Sequence, residues 1–170
     1  MKRQIQTKKS IRRKTVITIL SALLLSGMVG CKREFVVGSD IQIDDINEFY
    51  YTYSSSTFPP EYQRYHFYKE DKNYWFYHEK REGEAFPLQE EHITVSGKIE
   101  LTKEQWETMY NYLKDGLVEK RKESVTSGDS GPFLYLYWKN DRGKYQVFDF
   151  SSYQALQDFK IFCINLVEQK

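Results

Sequence analysis

Tyr62-Gln63-Arg64-Tyr65-His66-Phe67-Tyr68-Lys69-Glu70 and Tyr74-Trp75-Phe76-Tyr77-His78-Glu79-Lys80-Arg81-Glu82, joined by Asp71, Lys72 and Asn73, decide the fold. Both runs are dense in Tyr, Phe and Trp, which suit a pleated, half-buried surface. Two such runs across a short polar link read as a β-hairpin. Aromatic side chains interleaved with Arg, Lys and Glu fit a sheet with one face on a core and the other wet, the antiparallel arrangement.

Working outward, Phe49, Tyr51 and Tyr53 alternate with Tyr50, Thr52 and Ser54, the period of a strand. Pro59 and Pro60 end it, since each removes a backbone donor. On the other side Gly83 to Pro87 is a loop, and Glu90 to Ser96 reads as a further strand. Thr102 and Gln105 then form a T-x-x-Q capping box, and Trp106, Met109, Tyr110 and Leu113 fall at helical spacing. That predicts a helix from Thr102 to Asp115, stopped at Gly116 or extended by Leu117 to Ser124. Phe133 to Lys139 is apolar on both faces and reads as the central strand; Lys144 to Phe150 is its hairpin partner. Ser151 and Gln154 repeat the capping logic for a final helix, Ser152 to Glu168, with Leu156, Phe159, Cys163, Leu166 and Val167 inward. The expected class is α+β, an antiparallel sheet of about five to six strands with two helices packed on one face.

Upstream of this lies a segment of a different kind. Thr15 to Cys31 carries no charge, and Lys2, Arg3, Lys8, Lys9, Arg12, Arg13 and Lys14 precede it with no acid among them. That pattern reads as an export signal, and the apolar run is shorter than the ~20 residues of a permanent span. Met28-Val29-Gly30-Cys31 resembles the lipobox of bacterial lipoproteins. The resemblance implies cleavage before Cys31, acylation of its thiol, and an extracytoplasmic domain held to a membrane by lipid. The expected organisation is a cleaved signal at 1–30, a lipidated tether at 31–40 and one globular domain at 41–170. Two or three acyl chains, at about 0.8 kcal/mol per buried methylene, hold such a terminus firmly.

Loss of the leader removes seven bases and leaves 18 Lys and Arg against 24 Asp and Glu. The resulting net charge, about −6, argues against nucleic acid as a partner, because nonspecific affinity comes from cations that neutralise phosphate. Cys163 is the one cysteine besides Cys31. With Cys31 acylated it has no disulfide partner, and its place in an apolar helix stripe reads as packing.

Three patterns invite a chemical reading. Gly128-Asp129-Ser130-Gly131-Pro132 resembles the G-D-S-G-G-P around the nucleophile of trypsin-like serine proteases, with one glycine fewer and no A-A-H-C histidine. It reads as a turn, and an envelope hydrolase built on Ser130 with Asp129 and a histidine is the alternative. His66, His78 and His92 lack the i, i+4 helical spacing of a zinc site, so neither metal nor cofactor is expected. All 14 Tyr, 11 Phe and 3 Trp follow Cys31, and they crowd the first sheet region. Tyrosine and tryptophan give rigid, half-polar contact area, so Tyr51, Tyr53, Tyr65, Tyr74, Trp75 and Tyr77 are the candidate binding residues. The expectation is a non-catalytic domain that binds a protein, peptide or glycan at the cell envelope, with a structural or assembly role as a further alternative.

Overall fold

The computed structural model describes residues 34–121, 131–139 and 145–169. Among them run β1 (Glu34–Val36), β2 (Ile46–Ser55), β3 (Glu61–Glu70), β4 (Asn73–Arg81), β5 (Ile93–Leu101), α1 (Lys103–Leu113), β6 (Leu117–Arg121), β7 (Gly131–Trp138), β8 (Tyr145–Asp149) and α2 (Tyr153–Glu168). The strands form one 8-stranded sheet in the order β1-β6-β8-β7-β2-β3-β4-β5, and every pairing is antiparallel. The class is α+β, with eight strands where five to six were expected.

The opening hairpin is β3–β4. Its turn is Asp71-Lys72, and Asn73 joins the ladder opposite Glu70. Asp71 adopts φ 56°, a left-handed conformation that Asp tolerates better than most side chains. As expected, β7 lies inside the sheet, between β8 and β2.

Both helices start as their sequences require. Thr102 Oγ1 accepts from the Gln105 amide at 3.1 Å, and the Gln105 side chain accepts from the Thr102 amide at 2.8 Å. At α2 the cap is Ser152 rather than Ser151: its hydroxyl accepts from the Ala155 amide at 3.1 Å. The inward stripes, Trp106, Met109 and Leu113 of α1 and Phe159, Cys163 and Leu166 of α2, join Phe49, Tyr51, Tyr65, Phe67, Phe76, Leu134, Leu136 and Phe148 in one core. Phe159 sits edge-on to Phe49 at 5.3 Å and 5.8 Å from Phe67, so α2 lies over β2 and β3. Each large side chain taken out of water there is worth about 1.5–3 kcal/mol.

Two strands come from segments read otherwise. The sequence predicts a tether at 31–40, yet within it β1 pairs with β6 and Val37 is fully buried, as is Ile41 just beyond. The Val37 amide donates to Gly116 O and the Asp115 amide to Val37 O, each at 2.9 Å, which closes the backbone that a free tether would leave in water. Leu117 to Ser124 was read as a possible helix extension, yet Leu117–Arg121 is β6, registered with β8 from Leu117↔Asp149 to Arg121↔Tyr145. Asp115, at φ 63°, turns the chain out of α1. Gly116 then passes so close to Phe148 that a Cβ would lie 2.4 Å from its ring.

Cys163 is fully buried, as its place in the stripe suggested, and burial holds its thiol well above the usual range. The leader and Cys31 lie outside the described residues. Among the described residues no helix is long and apolar enough to cross a membrane.

Candidate functional site

Alternation on each strand sends one set of side chains to the helices and the other to the opposite face of the sheet. Register aligns the second set into cross-strand rows. One row runs Tyr135, Tyr50, His66, Tyr77 and Lys98 across β7, β2, β3, β4 and β5. Beside it lie Tyr137, Glu48, Tyr68, Trp75 and Glu100, and on its other side Phe133, Thr52, Arg64, Glu79 and Ser96. Among the described residues no helix or strand covers this face. Its aromatic side chains are half-buried.

The rings are already stacked. Tyr50 lies on His66 at 3.9 Å and 11°, and His66 on Tyr68 at 4.6 Å and 24°. Tyr137 meets Tyr50 edge-on at 6.1 Å. Lys98 Nζ sits 4.0 Å above the Trp75 ring and 5.3 Å from Tyr68, close enough for cation–π attraction.

Two carboxylates are fixed in the same way, each by a tyrosine two residues away on its own strand. Tyr50 donates to Glu48 Oε2 at 2.6 Å, and Tyr77 donates to Glu79 Oε2 at 2.7 Å. Burial, with that carboxylate beside it, pushes the Tyr77 hydroxyl up to about 12. Glu79 is buried and also accepts Arg81 Nε at 3.0 Å and Nη2 at 2.7 Å. Burial by itself would raise the Glu79 carboxyl, but the hydrogen bonds from Tyr77 and Arg81 and the charges of Arg64 and Arg81 outweigh it. The group is held below its ordinary range. Arg64 Nη1 stands 3.8 Å from a Glu79 oxygen that Arg81 already holds, and its Nε reaches Thr52 Oγ1 at 3.4 Å. His66 Nε2 is 3.5 Å from Glu48 Oε2, too long for a good hydrogen bond. Burial lowers its pKa from 6.5 to about 4 against the pull of Glu48, so the ring is neutral at pH 7 and no ion pair forms there.

Between β2, β3 and β7 the face dips into an open depression of about 380 Å³ lined by Glu48, Tyr50, Thr52, Arg64, Tyr135 and Tyr137. Tyrosine walls, a guanidinium beside a hydroxyl, and the Glu48 carboxylate two strand positions before Tyr50 together suit a ligand that stacks and hydrogen-bonds. The volume lies at the small end of the range for ligand sites, about 300–1,000 Å³.

The six residues expected to bind do not share a face. Tyr51 and Tyr65 belong instead to the core, 3% and 7% exposed, where they pack beneath the helices and no ligand reaches them. Tyr53 and Tyr74 are partly buried against that same core, Tyr74 stacked on Trp106 at 4.8 Å. Trp75 and Tyr77 are on the open face. Their neighbours Tyr50, His66, Tyr68, Tyr135 and Tyr137, with Glu48 and Arg64, lie outside the expected six. Period alone could have separated them: Tyr74 and Trp75 are adjacent on a strand, so one ligand surface cannot include both.

The three histidines do not converge. His66 is on the open face, His78 is buried in register with Tyr65 on the helix side, and His92 Nδ1 accepts from the Gln89 amide at 2.8 Å in a short turn. Among the described residues no three His, Cys, Asp or Glu side chains gather as metal ligands. Asp129 and Ser130 lie outside the described residues. Compared with family models, curated proteins and solved structures, the chain matches none.

Proposed function

We propose that this chain is a bacterial lipoprotein, attached to a membrane through Cys31, whose domain binds a partner at the cell envelope on the open face of its sheet. Binding, rather than catalysis, is its work. A peptide or glycan in extended form suits the surface best: cross-strand rows of Tyr, His and Trp give flat stacking area, and Glu48, Arg64 and Thr52 offer hydrogen bonds beside it. The observation that carries this reading is the mutual stacking and hydrogen bonding of the side chains on that face. Tyr50, His66 and Tyr68 are stacked, and Glu48 and Glu79 are locked by tyrosine hydroxyls, before any partner arrives. Side chains ordered in advance lose little entropy on binding, about 0.5–1.5 kcal/mol less for each one.

Photocrosslinking in intact cells tests it. Benzoylphenylalanine replaces Tyr77 or Tyr137 on the open face, and Asn111 or Tyr153 on the exposed sides of the helices. Adducts, whether protein or glycan, are expected at Tyr77 and Tyr137 and not at Asn111 or Tyr153. Equal adducts at all four positions, or adducts only at the helix positions, would refute the reading.

A further inference from the structure

The sheet has two edges of unequal character. β1 offers three residues, whereas β5 offers nine, Ile93–Leu101, with its outer side unpaired among the described residues. Long edges are usually blunted by proline, by a bulge or by an outward lysine. β5 contains no proline, and its irregularity is confined to its start, where Val95 pairs with Lys80 and Ile93 with Arg81. From Val95 to Leu101 the ladder is regular. Lys98 does not guard the edge, because its Nζ folds back to Glu70 Oε2 at 2.9 Å and over the Trp75 ring.

Beside this edge, on the helix side, lies an apolar shelf. Val95 is 46% exposed, and Ile161 and Ile164 of α2 are 56% and 44% exposed. Val95, Ile164 and Val167 line one shallow hollow with Tyr65 and His78.

We propose that β5 pairs antiparallel with β5 of a second copy about a two-fold axis at Gly97, joining two sheets into one. The strand is self-complementary in that register. Val95, Gly97, Ile99 and Leu101 face the helices, and Ser96, Lys98 and Glu100 face the open side. Pairing about Gly97 sets Val95 against Ile99 of the second copy, apolar on apolar next to the shelf. It sets Ser96 against Lys98, so no like charges meet. A centre at Lys98 would oppose two lysines, which is unfavourable. A centre at Ile99 would leave Val95 and the shelf uncovered. Identical strands about a two-fold axis give a closed dimer rather than a fibre. The aromatic faces of the two copies would then lie side by side on one continuous sheet.

Sedimentation of the full chain in mild detergent, with cysteine crosslinking, tests this. The unsubstituted chain is expected to sediment as a dimer, and Val95→Lys to weaken association at least about tenfold. Opposed Cα atoms of an antiparallel pair are about 4.5–5.5 Å apart, within disulfide reach. Gly97→Cys should therefore crosslink to itself, above the background set by Cys31 and Cys163, and Lys98→Cys should not. If Gly97→Cys fails to fold, Ser96→Cys combined with Lys98→Cys replaces it and should crosslink through both pairs. A monomer on the order of 100 µM, a dimer indifferent to Val95→Lys, or crosslinking by Lys98→Cys alone would overturn the proposal.

Discussion

Glu79 shows how the open face is held at the level of one side chain. Arg81 gives it two hydrogen bonds, and the other end of the guanidinium, Nη1, donates to Leu88 O at 3.2 Å. Both members of the pair are buried, so removing one strands the other. Glu79→Gln should destabilise the fold by about 3–5 kcal/mol. Tyr77→Phe, which removes one hydrogen bond to a charged group, should lose about 1.5–3 kcal/mol. Urea denaturation of both variants checks the order. His66 gives a pH signature. Its folded pKa, about 4, lies below the ordinary 6.5, so as pH falls through that interval the unfolded chain takes up the proton first and stability drops. Glu48 opposes this drop, and Arg64 reinforces it. The loss between pH 6.5 and pH 4 should reach at most about 3 kcal/mol. His66→Phe, which keeps the stack without the proton, should flatten that interval. The lowered carboxyl of Glu79 acts on the acid side: its stabilisation is present above its ordinary value of 4.5 and is lost as pH falls through the folded value. The two groups therefore separate in a series of melts from pH 7 to pH 3.

The link between α1 and β6 shows where local signals stop being decisive. Thr102 to Leu113 was readable because a capping box and a helical stripe are both local in sequence. Leu117 to Arg121 was not, because Glu119, Lys120 and Arg121 are good helix formers in isolation and only pairing with β8 makes them a strand. Gly116 was seen as a stop but not as a contact. Its neighbour is Phe148, more than thirty residues on, and that approach has no trace in local composition. Gly116→Ala should therefore destabilise by about 1–3 kcal/mol through overpacking against Phe148, opposite in sign to the gain that helix propensity alone predicts. A thermal midpoint that rises instead, as a propensity gain would give, would show that the contact is looser than described. β1 was hidden for a simpler reason: three residues are too few to display a period.

For the whole molecule, the sequence revealed a half-wet antiparallel sheet and two capped helices, but not which aromatic set the helices cover. Tyr50 and Tyr51 are equally β-prone, and only the pairing of Phe49 with Phe67 and of Tyr50 with His66 assigns them to opposite faces. The proposed lipid anchor belongs to this scale too, since it would fix where the open face works. Cys31→Ser should shift the chain from the membrane pellet to the soluble or precursor fraction, and mass spectrometry of Cys31 should find acyl groups on the unsubstituted chain. The face itself is tested most directly by hydroxyl-radical footprinting of the chain, alone and mixed with native envelopes, read residue by residue. Protection is expected at Tyr50, Trp75, Tyr77 and Tyr137, with Tyr153 on α2 unchanged. Protection at Tyr153 with none at those four would contradict the assignment of the open sheet face as the binding surface.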